Sequence, residues 1–227
     1  MDYKNLKPIL EIFAKLRNRG HNNYTLFSDW VDLMLYALMG NDPEYMEIVR
    51  RYGNNYPKGE RNIDLFCEAF AEFQISMQKT NEDILGEIYS HLSANNKQFG
   101  QFFTPSHVCT LMAEMTIDKD MESKTISDPC VGSGRMFIAA QKVASNLTFL
   151  GQDKDLLCAK MTALNMCFFN ANSQIAWGDS LTCECLKAYE TRRSSLGGSV
   201  YEINPDKITW IKKPKVSRQT TLLNLAA

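Results

Sequence analysis

No apolar run in this 227-residue chain reaches the ~18 residues that a membrane-spanning helix needs. The densest stretch, Trp30 to Met39, is interrupted by Asp32. The N-terminal Met-Asp-Tyr-Lys-Asn lacks the basic-then-apolar order of a signal peptide, so the expected location is the cytoplasm, with no membrane partner. Glycine and proline are sparse, at 12 and seven residues, which excludes a collagen-like chain. There is no disulfide framework either: the seven cysteines are odd in number and scattered, and read as reduced thiols. Cys183 and Cys185 form a Cys-x-Cys pair, but no second pair or nearby histidine completes a zinc site, and no metal is expected.

What is present is ordinary for a globular protein: 44% apolar, 22% charged and 11% aromatic residues. That is enough apolar material for a sizeable core and excludes a disordered chain. The formal net charge of −1 conceals an asymmetry. Residues 186–227 hold eight basic and three acidic side chains, whereas residues 1–100 hold 11 and 14. A basic C-terminal segment suits either phosphate contacts or a solvated terminus.

The pattern over residues 1–95 is helical. Ile9, Ile12, Phe13 and Leu16 share one helical face, as do Ile63, Phe66, Phe70, Phe73 and Met77. Asp42-Pro43 looks like an N-cap and first helical residue, and Asn81 is a candidate cap for a helix carrying Ile84, Leu85, Ile88 and Leu92. After residue 100 the rhythm changes. Thr104-Pro105 opens a helix to about Thr116. Thr125–Asp128, Leu147–Leu150 and Gln174–Trp177 read as strands, separated by helices over 135–144 and about 154–170. Strand–helix–strand–helix–strand is half of a doubly wound parallel sheet. The predicted class is therefore α/β: a helical N-terminal domain (1–95), a Rossmann-like half domain (96–185), and the basic segment 186–227.

Ligands of such sheets bind beyond the carboxyl ends of the strands. Four features fall there. Asp128-Pro129-Cys130-Val131-Gly132-Ser133-Gly134 combines a strand-end carboxylate with a glycine turn at a helix N-terminus. Asp153 lies 19 residues beyond Gly134 and ends the next strand, where a carboxylate can grip ribose hydroxyls. Asp179 ends the third strand, placed to accept from an adenine amine. Upstream, Gly100-Gln101-Phe102-Phe103-Thr104-Pro105 offers a second helix N-terminus, suited to a carboxylate. Adenine, ribose, ammonium and carboxylate together describe S-adenosylmethionine. A nicotinamide dinucleotide is disfavoured, because Phe137 occupies the position of the third fingerprint glycine.

These motifs, with Gly151-Gln152-Asp153 and Gly178-Asp179-Ser180-Leu181, resemble the cofactor motifs of adenine-N6 DNA methyltransferases, and most of all the modification subunit of type I restriction–modification systems. The segment Asp83-Ile84-Leu85-Gly86-Glu87-Ile88-Tyr89 resembles the helix these proteins carry before the first motif. The resemblance spans about residues 80–181. It implies S-adenosylmethionine as cofactor and a Rossmann-like methyltransferase domain. It further implies DNA as substrate, and a specificity subunit or another protein as partner. Carried onto this sequence, Thr104 and Pro105 would lie by the methionine carboxylate. Asp128, Gly132, Ser133 and Gly134 would hold the methionine part. Asp153 would bind the ribose and Asp179 the adenine ring, and Gln101, Phe102, Pro129 and Ser180 belong to the same cofactor-binding set.

The family's next motif, Asn-Pro-Pro-aromatic, occurs nowhere in this sequence. In the family it accepts the two hydrogens of the target amine and stacks on the flipped base. The nearest approach is Asn204-Pro205-Asp206-Lys207, where Asp206 and Lys207 replace the second proline and the aromatic. The better local reading is a type I turn joining Val200–Ile203 to Ile208–Ile211 in a hairpin. Asn204 and Pro205 remain degenerate catalytic candidates. Only 48 residues follow Asp179, whereas each further strand-plus-crossover takes ~30. The expectation is a cofactor half with one sheet edge left to be covered, the hairpin at 200–211 being the candidate cover. Functionally, the sequence suggests an S-adenosylmethionine-binding, adenine-N6 DNA methyltransferase-like protein, weakly active or inactive alone. The alternative is a non-catalytic interaction or regulatory protein on a degenerate methyltransferase scaffold.

Overall fold

The computed structural model describes residues 3–211 apart from 54, 94–100, 119, 121–123 and 145. Gly100 and residues 212–227 of the basic segment therefore lie outside the described residues.

Five helices come first: α1 (Lys7–Asn18), α2 (Asn23–Met39), α3 (Asp42–Tyr52), α4 (Asn62–Thr80) and α5 (Ile84–Ser93). α1 buries Ile9, Ile12, Phe13 and Leu16, the face its spacing predicts. α2 is buried around most of its circumference, and Gly40 closes it in the left-handed conformation. Trp30 of α2 is the hub of this region. Its ring meets Phe13 and Phe73 edge-on at 5.4 and 5.8 Å, and its Nε1–H donates to the Phe66 carbonyl at 3.2 Å. Asn81 caps the other helix: it ends α4 with φ +54°, and its amide donates to the Met77 carbonyl. A short polar side chain tolerates that left-handed position, which wins over N-capping α5. Asn41, not Asp42, precedes α3, which places Pro43 at the second helical residue.

The second half runs α6 (Ser106–Thr116), β1 (Thr125–Asp128), α7 (Arg135–Val143), β2 (Thr148–Asp153), α8 (Leu156–Phe168), β3 (Asn172–Trp177), β4 (Lys187–Arg192) and β5 (Ser199–Ile203). Strand order is β1-β2-β3-β4-β5. The first three strands are parallel, with Asp128 opposite Gly151 and Asp153 opposite Trp177. The fold is thus α/β, as the alternation of elements predicts. α8 packs along β2, β3 and β4, and against α2 and α5. With neighbours on nearly every side, it is buried from Leu157 to Cys167, polar Lys160, Thr162 and Asn165 included, and lacks an amphipathic stripe. One apolar core joins α1, α2 and α4 to α7, α8 and the sheet. The Lys160–Asp32 ion pair crosses from α8 to α2 within it.

The C-terminal hairpin differs from the sequence expectation. Val200–Ile203 pairs not with Ile208–Ile211 but with β4, antiparallel, Ala188 opposite Ile203 and Arg192 opposite Ser199. β4 in turn pairs antiparallel with β3. Residues 208–211 form no strand. The turn that wins is Ser194–Gly198, where Gly197 takes φ +118° and Gly198 sits against the Cys167 carbonyl too closely for any side chain. Asn204–Lys207 makes one tight turn, with the Lys207 amide donating to the Asn204 carbonyl. β4 and β5 therefore cover the β3 edge. Among the described residues β1 pairs only with β2. No helix of the described residues is long and apolar enough to cross a membrane.

Candidate functional site

The turn after β1 is built by its glycines. Gly132 and Gly134 take φ +59° and +83°, a region other residues rarely enter. The Gly134 amide donates to the Val131 carbonyl, and Gly134 precedes the first turn of α7. The Asp128 carboxylate accepts from the Cys130 amide at 2.9 Å, which folds the chain back at Pro129. Thr162 Oγ1 of α8 donates to the Gly132 carbonyl at 2.8 Å and fixes the turn from behind.

Asp153 is buried and doubly engaged. One carboxylate oxygen accepts from the Gly132 amide at 2.8 Å, the other from the Asp155 amide at 2.9 Å. Burial pushes its pKa above the ordinary carboxylate value, against the pull of those two amides. Asp179 is half-buried. Lys154 at 2.8 Å and the Leu181 amide at 2.9 Å hold its pKa below the ordinary range. In the strand register Asp128 stands opposite Gly151, so Asp153 lies one strand over and two residues further out. At ~4.8 Å between strands and ~3.3 Å per residue, that step is about 8 Å. β3 ends at Trp177, opposite Asp153, and Asp179 follows two residues beyond it, not at the strand end that the sequence predicts.

The segment before α6 forms the facing wall. Gln101 donates its amide to Asp155 at 3.0 Å and accepts from Cys158 Sγ. Phe103 lays its ring on Gly132, where an added Cβ would come within 3.1 Å of it, and its other side meets Tyr89 at 4.9 Å. Phe102 is fully exposed. The helix begins one residue later than Thr104-Pro105 implies: Pro105 is the N-cap, and its carbonyl accepts from Val108 and Cys109. The Thr104 carbonyl accepts from Arg135 at 3.1 Å.

Between this wall and the glycine turn lies a cavity of about 140 Å³. Gln101, Phe102, Thr104, Asp128, Gly132 and Ser133 touch it. Asp153, Asp179 and Ser180 do not line it. Its volume suits an amino-acid-sized group and is below the ~300 Å³ of a typical whole-ligand pocket. The donor set fits such an end group: the Asp128 carboxylate for an ammonium, and the first turn of α6 for a carboxylate. Asn204 stands beyond β5, four strand spacings or about 19 Å across the sheet from β1. Its side-chain oxygen accepts from the Asp206 amide, and Pro205 begins the turn.

Ser133 does not present its hydroxyl to the cavity. It donates instead to Asp83, at 2.5 Å. Asp83, Arg135 and Asn165 were not legible as a unit, because they lie 52 and 82 residues apart in sequence. The one sequence signal was Asp83 within the segment that resembles the family's preceding helix.

A family model described as N-6 DNA Methylase matches residues 80–194. The chain is 25% identical over 136 residues to the type I restriction enzyme MjaIX methylase subunit of Methanocaldococcus jannaschii, covering 55% of this chain and 24% of that protein. It is 29% identical over 161 residues to the MpnII methylase subunit of Mycoplasma pneumoniae, covering 66% of this chain and 27% of that one. A type I restriction-modification methyltransferase subunit from Streptococcus thermophilus aligns at TM-score 0.43 and 16% identity, covering 78% of this chain and 58% of that chain. The chain spans about a quarter of the length of the curated relatives it matches. A glycine turn and strand-end carboxylates at the head of a parallel sheet, inside the matched span, agree with that match: the chain belongs to the N-6 DNA methylase family and is similar within it to the methylase subunits of type I restriction enzymes.

Proposed function

We propose that the carboxyl ends of β1, β2 and β3 bind S-adenosylmethionine, and that the chain serves adenine-N6 methylation of DNA. The observation that carries this reading is the cavity between the Gly132–Gly134 turn and the Gln101–Pro105 wall, with Asp128 at its edge and Asp153 hydrogen-bonded to the turn itself. Asp128 and the α6 N-terminus would hold the ammonium and carboxylate. Asp153 and Asp179 stand further along, in the order ribose and adenine require. When bound, S-adenosylmethionine supplies an electrophilic methyl group on a sulfonium. The Asp153 oxygens keep unused lone pairs beyond their two amide contacts, so the carboxylate can accept further donors without releasing the turn.

Methyl transfer also needs acceptors for the adenine amine, and the sequence has no Asn-Pro-Pro-aromatic motif. Asn204 spends its oxygen on its own turn, away from Asp128. A non-catalytic, cofactor-sensing role is the second reading this favours. DNA, a specificity subunit or another protein completing the sheet, and a cytoplasmic location belong to the proposal through the family alone. Calorimetric titration with S-adenosylmethionine tests binding; one-to-one binding supports the proposal, and no heat from folded protein overturns it. A methyl-transfer assay on adenine-containing duplex DNA is expected to give no product with this chain alone. Product would show that Asn204–Lys207, or another segment, supplies the missing acceptors.

A further inference from the structure

We propose that Asp83 is the positioning residue of the cofactor site, setting both walls of the cavity without touching the ligand; this rests on the cofactor reading above. Asp83 lies just before α5 and is buried completely. Its carboxylate accepts four hydrogen bonds. One oxygen takes the Gly86 amide at 2.9 Å and Asn165 Nδ2 at 2.8 Å. The other takes Ser133 Oγ at 2.5 Å and Arg135 Nε at 3.0 Å. Ser133 is the middle residue of the glycine turn. Arg135 begins α7, and its other nitrogens reach Glu87 at 2.9 Å and the Thr104 carbonyl at 3.1 Å. Asn165 also donates to the Ser133 carbonyl at 2.7 Å. Ser133, Arg135 and Thr104 all line the cavity, and Asp83 stands directly behind them.

A buried carboxylate is an expensive way to fill space, since apolar residues of similar volume commonly stabilise as well. What it adds here is direction. Two glycines give the turn a wide choice of backbone conformations. Holding Ser133 by its hydroxyl and its carbonyl selects one of them, and Arg135 carries the same constraint across to Thr104. Gly86 makes the approach feasible: a Cβ there would fall 2.1 Å from the Asp83 oxygen and 2.7 Å from Ser133 Oγ.

The test compares Asp83→Asn, Ser133→Ala and the control Asp32→Asn, which weakens the Lys160 pair, whose two side chains bond to no residue of the turn. Two readouts are taken on each folded protein: the Kd for S-adenosylmethionine by calorimetry, and amide hydrogen exchange across residues 131–135. Asp83→Asn should raise Kd about tenfold, the factor one charge-assisted hydrogen bond commands, and speed exchange in the turn. Asp32→Asn should lower the melting temperature while leaving both readouts at wild-type values. A folded Asp83→Asn protein with wild-type Kd and wild-type exchange overturns the proposal. Should Asp83→Asn not fold, Ser133→Ala decides: a raised Kd and faster turn exchange support the role, and unchanged values refute it. If the wild type binds no S-adenosylmethionine, the cofactor reading fails, and the exchange comparison alone judges whether Asp83 sets the turn.

Discussion

Lys160→Met isolates the ion pair that joins α8 to α2 across 128 residues of chain. Both side chains are mostly buried, Lys160 at 9% exposure and Asp32 at 15%. Methionine keeps the aliphatic stem and removes the ammonium, so packing changes little. Removing one partner of a buried pair typically costs about 3–5 kcal/mol, because the other charge is stranded. Asp32 has an escape, which is to take up a proton. Burial already raises its pKa, opposed by Lys160, so losing Lys160 raises it further. Keeping a carboxylate of ordinary pKa ~3.9 protonated at pH 7 costs about 4 kcal/mol, at 1.36 kcal/mol per pH unit. That is the ceiling on the stranded charge at pH 7, and at pH 5 it falls to about 1.5 kcal/mol. The sign follows from linkage: with a raised native pKa, the folded variant holds a proton that the unfolded chain does not, so acidification favours folding. Urea denaturation of both proteins at pH 7, 6 and 5 should show the deficit of Lys160→Met shrinking by a kcal/mol or more toward pH 5. A deficit that stays constant with pH, or is absent at pH 7, would refute the argument that Asp32 is stranded.

Gly86→Ala should destabilise the protein by about 2 kcal/mol or more despite alanine's ~1 kcal/mol advantage in a helix, because the new methyl group collides with Asp83 and Ser133; a stabilised variant in a thermal melt would contradict this. If Asp153 holds the cofactor as proposed, affinity should weaken as pH falls through a window beginning above 3.8, because burial raises the Asp153 pKa from that value, and Asp153→Asn should flatten the profile. Affinity that ignores pH in the wild type would remove Asp153 from the site. In a native thiol titration, exposed Cys67 and Cys130 should react, whereas buried Cys158 and Cys167 should wait for unfolding, burial having pushed the Cys167 thiol up to about 11. S-adenosylmethionine should protect Cys130, which lines the cavity, and leave Cys67 reactive.

The parallel half of the sheet was legible because its signals are local. Asp128 and Asp153 each end a short strand and precede a turn, and the structure pairs those strands in register, whereas β3 stops at Trp177, two residues before Asp179. The helical face of α1 was legible through its 3.6-residue spacing; on α4 the spacing finds buried Phe66 and Phe73, while Ile63, Phe70 and Met77 are only partly buried and Leu65, Ala69 and Ser76 complete the inner face. β4 was not. Lys187, Glu190 and Arg192 interrupt its alternation, and only pairing with β3 and packing under α8 bury Ala188, Tyr189 and Thr191. The sequence therefore favours the proline-containing turn at Asn204, whereas the hairpin closes on the glycine pair at 197–198. The Asp83 cluster was hidden for a different reason. Its members come from three elements, and no periodicity links a buried carboxylate to its donors. Asn81 shows the remaining ambiguity: the same residue type caps either end of a helix, and only the backbone decides.

Amide chemical shifts of isotope-labelled protein, followed as S-adenosylmethionine is added, test the central claim most directly. The expected changes saturate together and concentrate at Gln101–Thr104, Asp128–Gly134 and Gly151–Asp153. A folded protein whose spectrum does not move, or moves only away from these strand ends, would contradict it.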